Sequence, residues 1–110
     1  MRFLMFVCSD TVPVEAPTTP VPDIEEWVSK LEARGLRITG DPLAHQSKAT
    51  TVRVRGGRTV VTDGPFIETK EVLAGFDLLE CRDMDEAIEA AAGHPMAYTG
   101  VIEIRPIREL

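Results

Sequence analysis

The chain has 110 residues, 44% apolar and 27% charged, with 18 acidic against 12 Lys and Arg side chains and a net charge of −6. That length fits one domain spanning residues 1–110, which can bury roughly two-thirds of its unfolded surface and needs no staples. The acids are scattered rather than gathered in a tail, and their excess disfavours nucleic acid and anionic membranes as partners.

The first element is RFLMFVC, residues 2–8, apolar on both alternating faces: Phe3, Met5 and Val7 on one, Leu4 and Phe6 on the other. Such a run suits a central strand covered on both sides. Its five-residue apolar centre is too short for a signal-peptide core and far too short to span a membrane. Ser9 and Asp10 follow at the strand end, where clefts form. Residues 9–22 carry four prolines and read as a surface loop.

A helix is expected next. Asp23 and Glu26 have capping-box spacing, Ile24, Trp27, Val28 and Leu31 form one apolar stripe, and Gly35 stops the helix. Leu36–Gly40 is a short strand. TTVRVR, residues 50–55, alternates cleanly, which predicts Val52 and Val54 inward with Thr51, Arg53 and Arg55 outward. Gly56-Gly57 is a two-residue hairpin turn, and Arg58–Thr62 returns. Arg53, Arg55 and Arg58 then make a basic edge that protects the hairpin from further pairing.

LAGFDLLEC, residues 73–81, is the next strand. A second helix has Asp83 and Glu86 at its start, Met84, Ala87, Ile88, Ala91 and Ala92 as its stripe, and Gly93 with Pro95 at its end. GVIEIR, residues 100–105, closes the chain as a strand. Cys8 and Cys81 lie in strand-like runs without C-x-x-C or Cys/His ligand spacing. They read as small core thiols in a reducing cytosol, and no metal or cofactor is expected. His45 falls in a loop. His94, between Gly93 and Pro95, reads as a helix C-terminal residue favoured by the dipole.

The order of elements predicts an α+β fold: a ferredoxin-like βαββαβ plan with an inserted β-hairpin and both helices on one face of an antiparallel sheet. The other face is not fully polar and calls for a partner, which a dimeric α+β barrel would supply.

The segment VTDGPFIETKEVLAGF, residues 61–76, carries the densest chemistry. Asp63-Gly64-Pro65 is turn chemistry, Phe66 is placed to plug the core edge, and Glu68, Lys70 and Glu71 follow at once. One reading makes this a solvated loop. The other turns Asp63 and Glu68 into a cleft, with Asp63 as acid/base or anchor, Lys70 tuning the carboxylates or holding an anion, and Asp10 joining from the first strand. The candidate site is therefore Asp10, Asp63, Phe66, Glu68 and Lys70, with Asp63 as the catalytic candidate.

This segment, with ATTVRVRGG upstream, the helix start DMDEA at 83–87 and the closing VIEIRP, resembles the DGPF branch of the YCII-related family over nearly the whole chain. The resemblance implies a homodimeric α+β barrel and a small bacterial cytosolic protein. Some relatives are encoded near alternative sigma factors. Others are enzymes on small cyclic metabolites that use a His–Asp pair without metal, a pair with no matching motif position in this chain. Two functions stay open: a small polar metabolite bound or transformed beside the DGPF loop, and a regulatory or protein-interaction module.

Overall fold

Phe3 and Met5 are sealed from solvent, and the fold is built outward from them. The computed structural model describes residues 1–10, 15–65 and 71–109. Strand β1 (Arg2–Asp10) lies between β5 (Glu71–Glu80) and β6 (Val101–Pro106), and β2 (Arg37–Pro42) adds to the far side of β5. The resulting sheet has the order β2-β5-β1-β6, with every neighbour antiparallel. Setting aside the separate hairpin, this is the ferredoxin-like strand order expected for βαββαβ.

The period-2 rule assigns the two faces. Phe3, Met5 and Val7 of β1 and Leu79 of β5 are buried with Trp27, Leu31, Ala87, Ala90 and Ala91 of the helices. The opposite face carries Leu4 across from Leu78 and Phe6 across from Phe76, all four half-buried. The Arg105 guanidinium lies 5.6 Å from the centre of the Phe6 ring.

Helix α1 (Ile24–Ala33) starts where the Asp23 carboxylate accepts from the Glu25 N–H, at 3.0 Å. It ends in a Schellman motif: the Leu36 N–H donates to the Leu31 carbonyl, the Gly35 N–H to the Glu32 carbonyl, and Gly35 sits at φ 70°. Leu31 and Leu36 are both in the core, the apolar contact that accompanies this ending. Helix α2 (Met84–Ala92) is capped by Asp83, which accepts from the Glu86 N–H. The Glu86 carboxylate takes the Arg82 N–H and guanidinium instead of completing a box with Asp83.

The buried stripe of α2 is Glu86, Ala87, Ala90 and Ala91, one step round from the expected one; Ile88 and Ala92 face outward. The small side chains let α1 approach closely enough for the Trp27 indole N–H to donate to the Ala90 carbonyl at 2.8 Å. A short turn of helix, α3 (Met96–Thr99), leads into β6.

Strands β3 (Thr50–Arg55) and β4 (Arg58–Asp63) form their own two-stranded sheet. Gly56 and Gly57 have φ 57° and 74°, the two positive values that a type I′ turn requires. Here one expectation is reversed. Val52 and Val54 are 60% and 59% exposed, as is Val61 at 60%, opposite Val52, whereas Thr51 and Arg53 are half-buried. The alternation is real, but among the described residues no layer covers the valine face. The Cα radius of gyration, 16.1 Å, exceeds the roughly 13 Å of a compact domain of this length.

Candidate functional site

A cleft of about 430 Å³ opens on the helix side of the sheet, beside its β2 edge, within the usual size range for small-molecule sites. Ile24 and Val28 of α1 form one wall. Arg37, Asp41 and Pro42 of β2 and Ala74–Asp77 of β5 form another, and Val7, His94 and Met96 complete the lining. The ladders are irregular at this place. The β2–β5 register breaks between Arg37 and Thr39, and the β1–β5 register between Val7 and Cys8. Such bulges re-aim side chains and are common beside sites.

Asp77 lies on the helix face of β5 with 8% of its side chain exposed. A carboxylate there needs a partner, and Arg37 provides it, Nε to Oδ1 at 2.8 Å. Arg37 also donates from Nη1 to Glu32 Oε1 at 2.7 Å and from Nη2 to the Gly40 carbonyl at 2.9 Å. Gly40 is required by close approach: a Cβ at this position would run into the Asp77 carboxylate and the Phe76 carbonyl. Burial pushes the Asp77 carboxyl up, against the pull of the Arg37 guanidinium. Burial also works against the Arg37 charge, but the Asp77 and Glu32 carboxylates outweigh it and hold the guanidinium charged.

His94 is 5% exposed. Its Nδ1 accepts from the Met96 N–H at 3.0 Å, and its ring stands edge-on to Trp27, centroids 4.7 Å apart at 72°. Burial, helped by the Arg37 charge, lowers its pKa to about 4. His94 is therefore a neutral wall of the cleft at pH 7, not the dipole-favoured cation expected of a residue just beyond a helix.

Of the residues singled out from the sequence, Asp10 and Asp63 are described, and they sit apart from this lining. Asp63 is exposed at the end of β4, opposite Thr50. Asp10 ends β1 opposite Glu71, so the two aspartates belong to different sheets. Neither is among the described residues lining the cleft. Phe66, Glu68 and Lys70 lie outside the described residues. Gly64, which follows Asp63, is tied down locally: its N–H donates to the Ala49 carbonyl, and Thr51 Oγ1 donates to its carbonyl at 2.7 Å.

The cleft's polar groups left one sequence signal. Asp77 is a lone charge inside the apolar run LAGFDLL, on the same face as Leu79. A charge on a buried strand face implies a cation close by, which points to Arg37 on the adjoining strand. His94 left no comparable signal. Among the described residues no group of three or more His, Cys, Asp or Glu is placed to hold a metal, and no helix is long and apolar enough to cross a membrane.

An antiparallel ferredoxin-like sheet with helices on one face and a mostly apolar cleft lined by Arg37, Asp77 and His94 defines a small α+β protein. The YCII-related domain profile matches residues 1–110, and the chain belongs to that family. It is also similar to the uncharacterized protein R00369 of Rhizobium meliloti (strain 1021), at 45% identity over 67 residues. That match covers 59% of this chain and 54% of the relative, so the alignment spans about half of the relative's length.

Proposed function

We propose that this protein binds a small metabolite in the cleft bounded by Arg37, Asp77 and His94. The observation that carries the reading is the coincidence of a cavity of about 430 Å³ with three polar side chains held in place by the fold. Apolar walls supply affinity, and a few fixed polar groups supply orientation. The DGPF turn, the mark of the branch in which we place the chain, then shapes the scaffold and is not the binding group.

A thermal-shift screen of small hydroxylated, carbonyl and carboxylic compounds tests this. A compound at about 100 times its dissociation constant stabilises the fold by roughly 2.7 kcal/mol. The shift is expected to survive Asp63→Asn and to vanish in Ile24→Trp, which fills the mouth of the cleft from an exposed position. A shift lost in Asp63→Asn and kept in Ile24→Trp would move the site to the turn.

We also propose that the protein is a cytosolic homodimer. Support for the dimer comes from the half-buried Leu4, Phe6, Phe76 and Leu78 on the face away from the helices and from the exposed valines of the hairpin. Sedimentation velocity should give about twice the 12.1 kDa chain mass; a monomer at micromolar concentration would refute the dimer.

A further inference from the structure

Three features of the cleft bear on what it selects. The first is the tautomer of His94. A backbone N–H donates to Nδ1, and a nitrogen that accepts carries no proton. In the neutral ring the proton is therefore on Nε2. Among the described residues no buried side-chain nitrogen or oxygen lacks a partner, so Nε2 is not a sealed orphan. His94 lines the cleft, which leaves Nε2–H as the one polar ring group able to donate to an occupant.

The second feature is the state of Arg37. Its Nε, Nη1 and Nη2 all donate within the protein, two of them to carboxylates. A guanidinium so engaged is a structural strut and not an open anion clamp. The third feature is the charge count. The lining holds one guanidinium against the carboxylates of Asp41 and Asp77, and Glu32 shares that guanidinium from outside. A bound anion would meet the buried Asp77 carboxylate, weakly screened among apolar walls, and the exposed Asp41 carboxylate at the rim. A cation would face the Nε2–H dipole.

From these features we infer that the cleft selects an uncharged, largely apolar small molecule bearing an oxygen acceptor, held by a hydrogen bond from His94 Nε2–H. This rests on the cleft reading above and narrows it, from polar metabolites in general to neutral carbonyl-type or ether-type ligands. His94 acts in it as a specificity-determining donor. A site built around a hydrogen bond discriminates strongly against analogues that cannot make it.

The test uses the full chain and a matched set of probes: acetophenone and benzamide as neutral acceptors, ethylbenzene without an acceptor, benzoate as anion and benzylamine as cation. Long-range proton–nitrogen correlation reads the His94 tautomer, and methyl signals of Val7, Val28 and Met96 report occupancy. The expected result is an Nε2–H ring and neutral acceptors binding about tenfold or more tighter than benzoate, benzylamine and ethylbenzene, a difference of roughly 1.4 kcal/mol. His94→Phe, which keeps a ring against Trp27, should bind acetophenone and ethylbenzene alike.

An Nδ1–H ring, or benzoate binding as well as benzamide, would overturn the inference while leaving a working cleft. Silence of all three methyl reporters with every probe would overturn the cleft reading and this inference with it. The tautomer and the wild-type panel decide the matter even if His94→Phe does not fold.

Discussion

The four-stranded sheet and the β3–β4 hairpin are written in the same code and meet opposite fates. Phe3, Met5 and Val7 alternate along β1 and are buried under two helices; Val52 and Val54 alternate along β3 and face solvent. Alternation states which side chains share a face. Whether a face is covered depends on what the rest of the chain can bring to it. The central sheet has both helices packed on one face, α1 leading into β2 and β5 into α2 through three-residue connections. Among the described residues the hairpin, inserted between β2 and β5, has no helix against it, and a lone two-stranded hairpin is marginal in water. In the proposed dimer its valines are the surface offered to another chain.

Substitutions sharpen that contrast. The largest effect is expected at Asp77. Asp77→Ala removes the buried partner of Arg37, leaving it the exposed Glu32 carboxylate and the Gly40 carbonyl, and should cost about 3 kcal/mol, read by urea unfolding. The pair Arg37→Met with Asp77→Leu should recover most of this, because the apolar replacement strands no charge. Equal losses in the single and double variants would mean that the ion pair itself carries the stability. Next is Leu79→Ala, a fully buried truncation in the central sheet, expected to cost about 2–5 kcal/mol.

The pH dependence ranks third. His94 titrates at about 4 in the fold and near 6.5 when unfolded. The unfolded state binds the extra proton between those values, so this contribution is full above pH 6.5 and is lost as pH falls toward 4. It amounts to about 3 kcal/mol. Asp77, raised by burial, runs the other way: its unfavourable ionisation is relieved as pH falls through its raised value. Stability curves of wild type and His94→Phe should therefore diverge between pH 6.5 and 4, and parallel curves would refute the neutral buried ring. The smallest effect belongs to the hairpin. Val52→Thr or Val61→Thr should change monomer stability by no more than about 0.5 kcal/mol, yet weaken self-association measured by sedimentation.

Much of the fold was legible because its signals are local. Asp23 and Asp83 cap the helices, Gly35 stops the first, Gly56-Gly57 turns the hairpin, and β1 sits centrally as its two-sided apolar run requires. The misreadings involve what lies opposite. Ile88 belongs to an apolar stripe in sequence but faces outward, since close packing against Trp27 selects the alanines. The cleft was the least legible part. Arg37, Asp77 and His94 come from three separate segments, and only the sheet order, with β2 beside β5, joins the first two. The charge around the DGPF turn is dense and contiguous in sequence, whereas the polar groups at the cavity are sparse and far apart in sequence.

The central claim is that the ligand site is the sheet–helix cleft and not the turn at Asp63. The most direct measurement is a methyl-resolved NMR titration of the wild-type chain with the strongest compound from the thermal-shift screen. The account predicts the largest perturbations at Val7, Val28 and Met96, with Val60 and Val61 of β4 unmoved. Perturbations gathered at Val60 and Val61 beside the DGPF turn, with the cleft methyls silent, would contradict it.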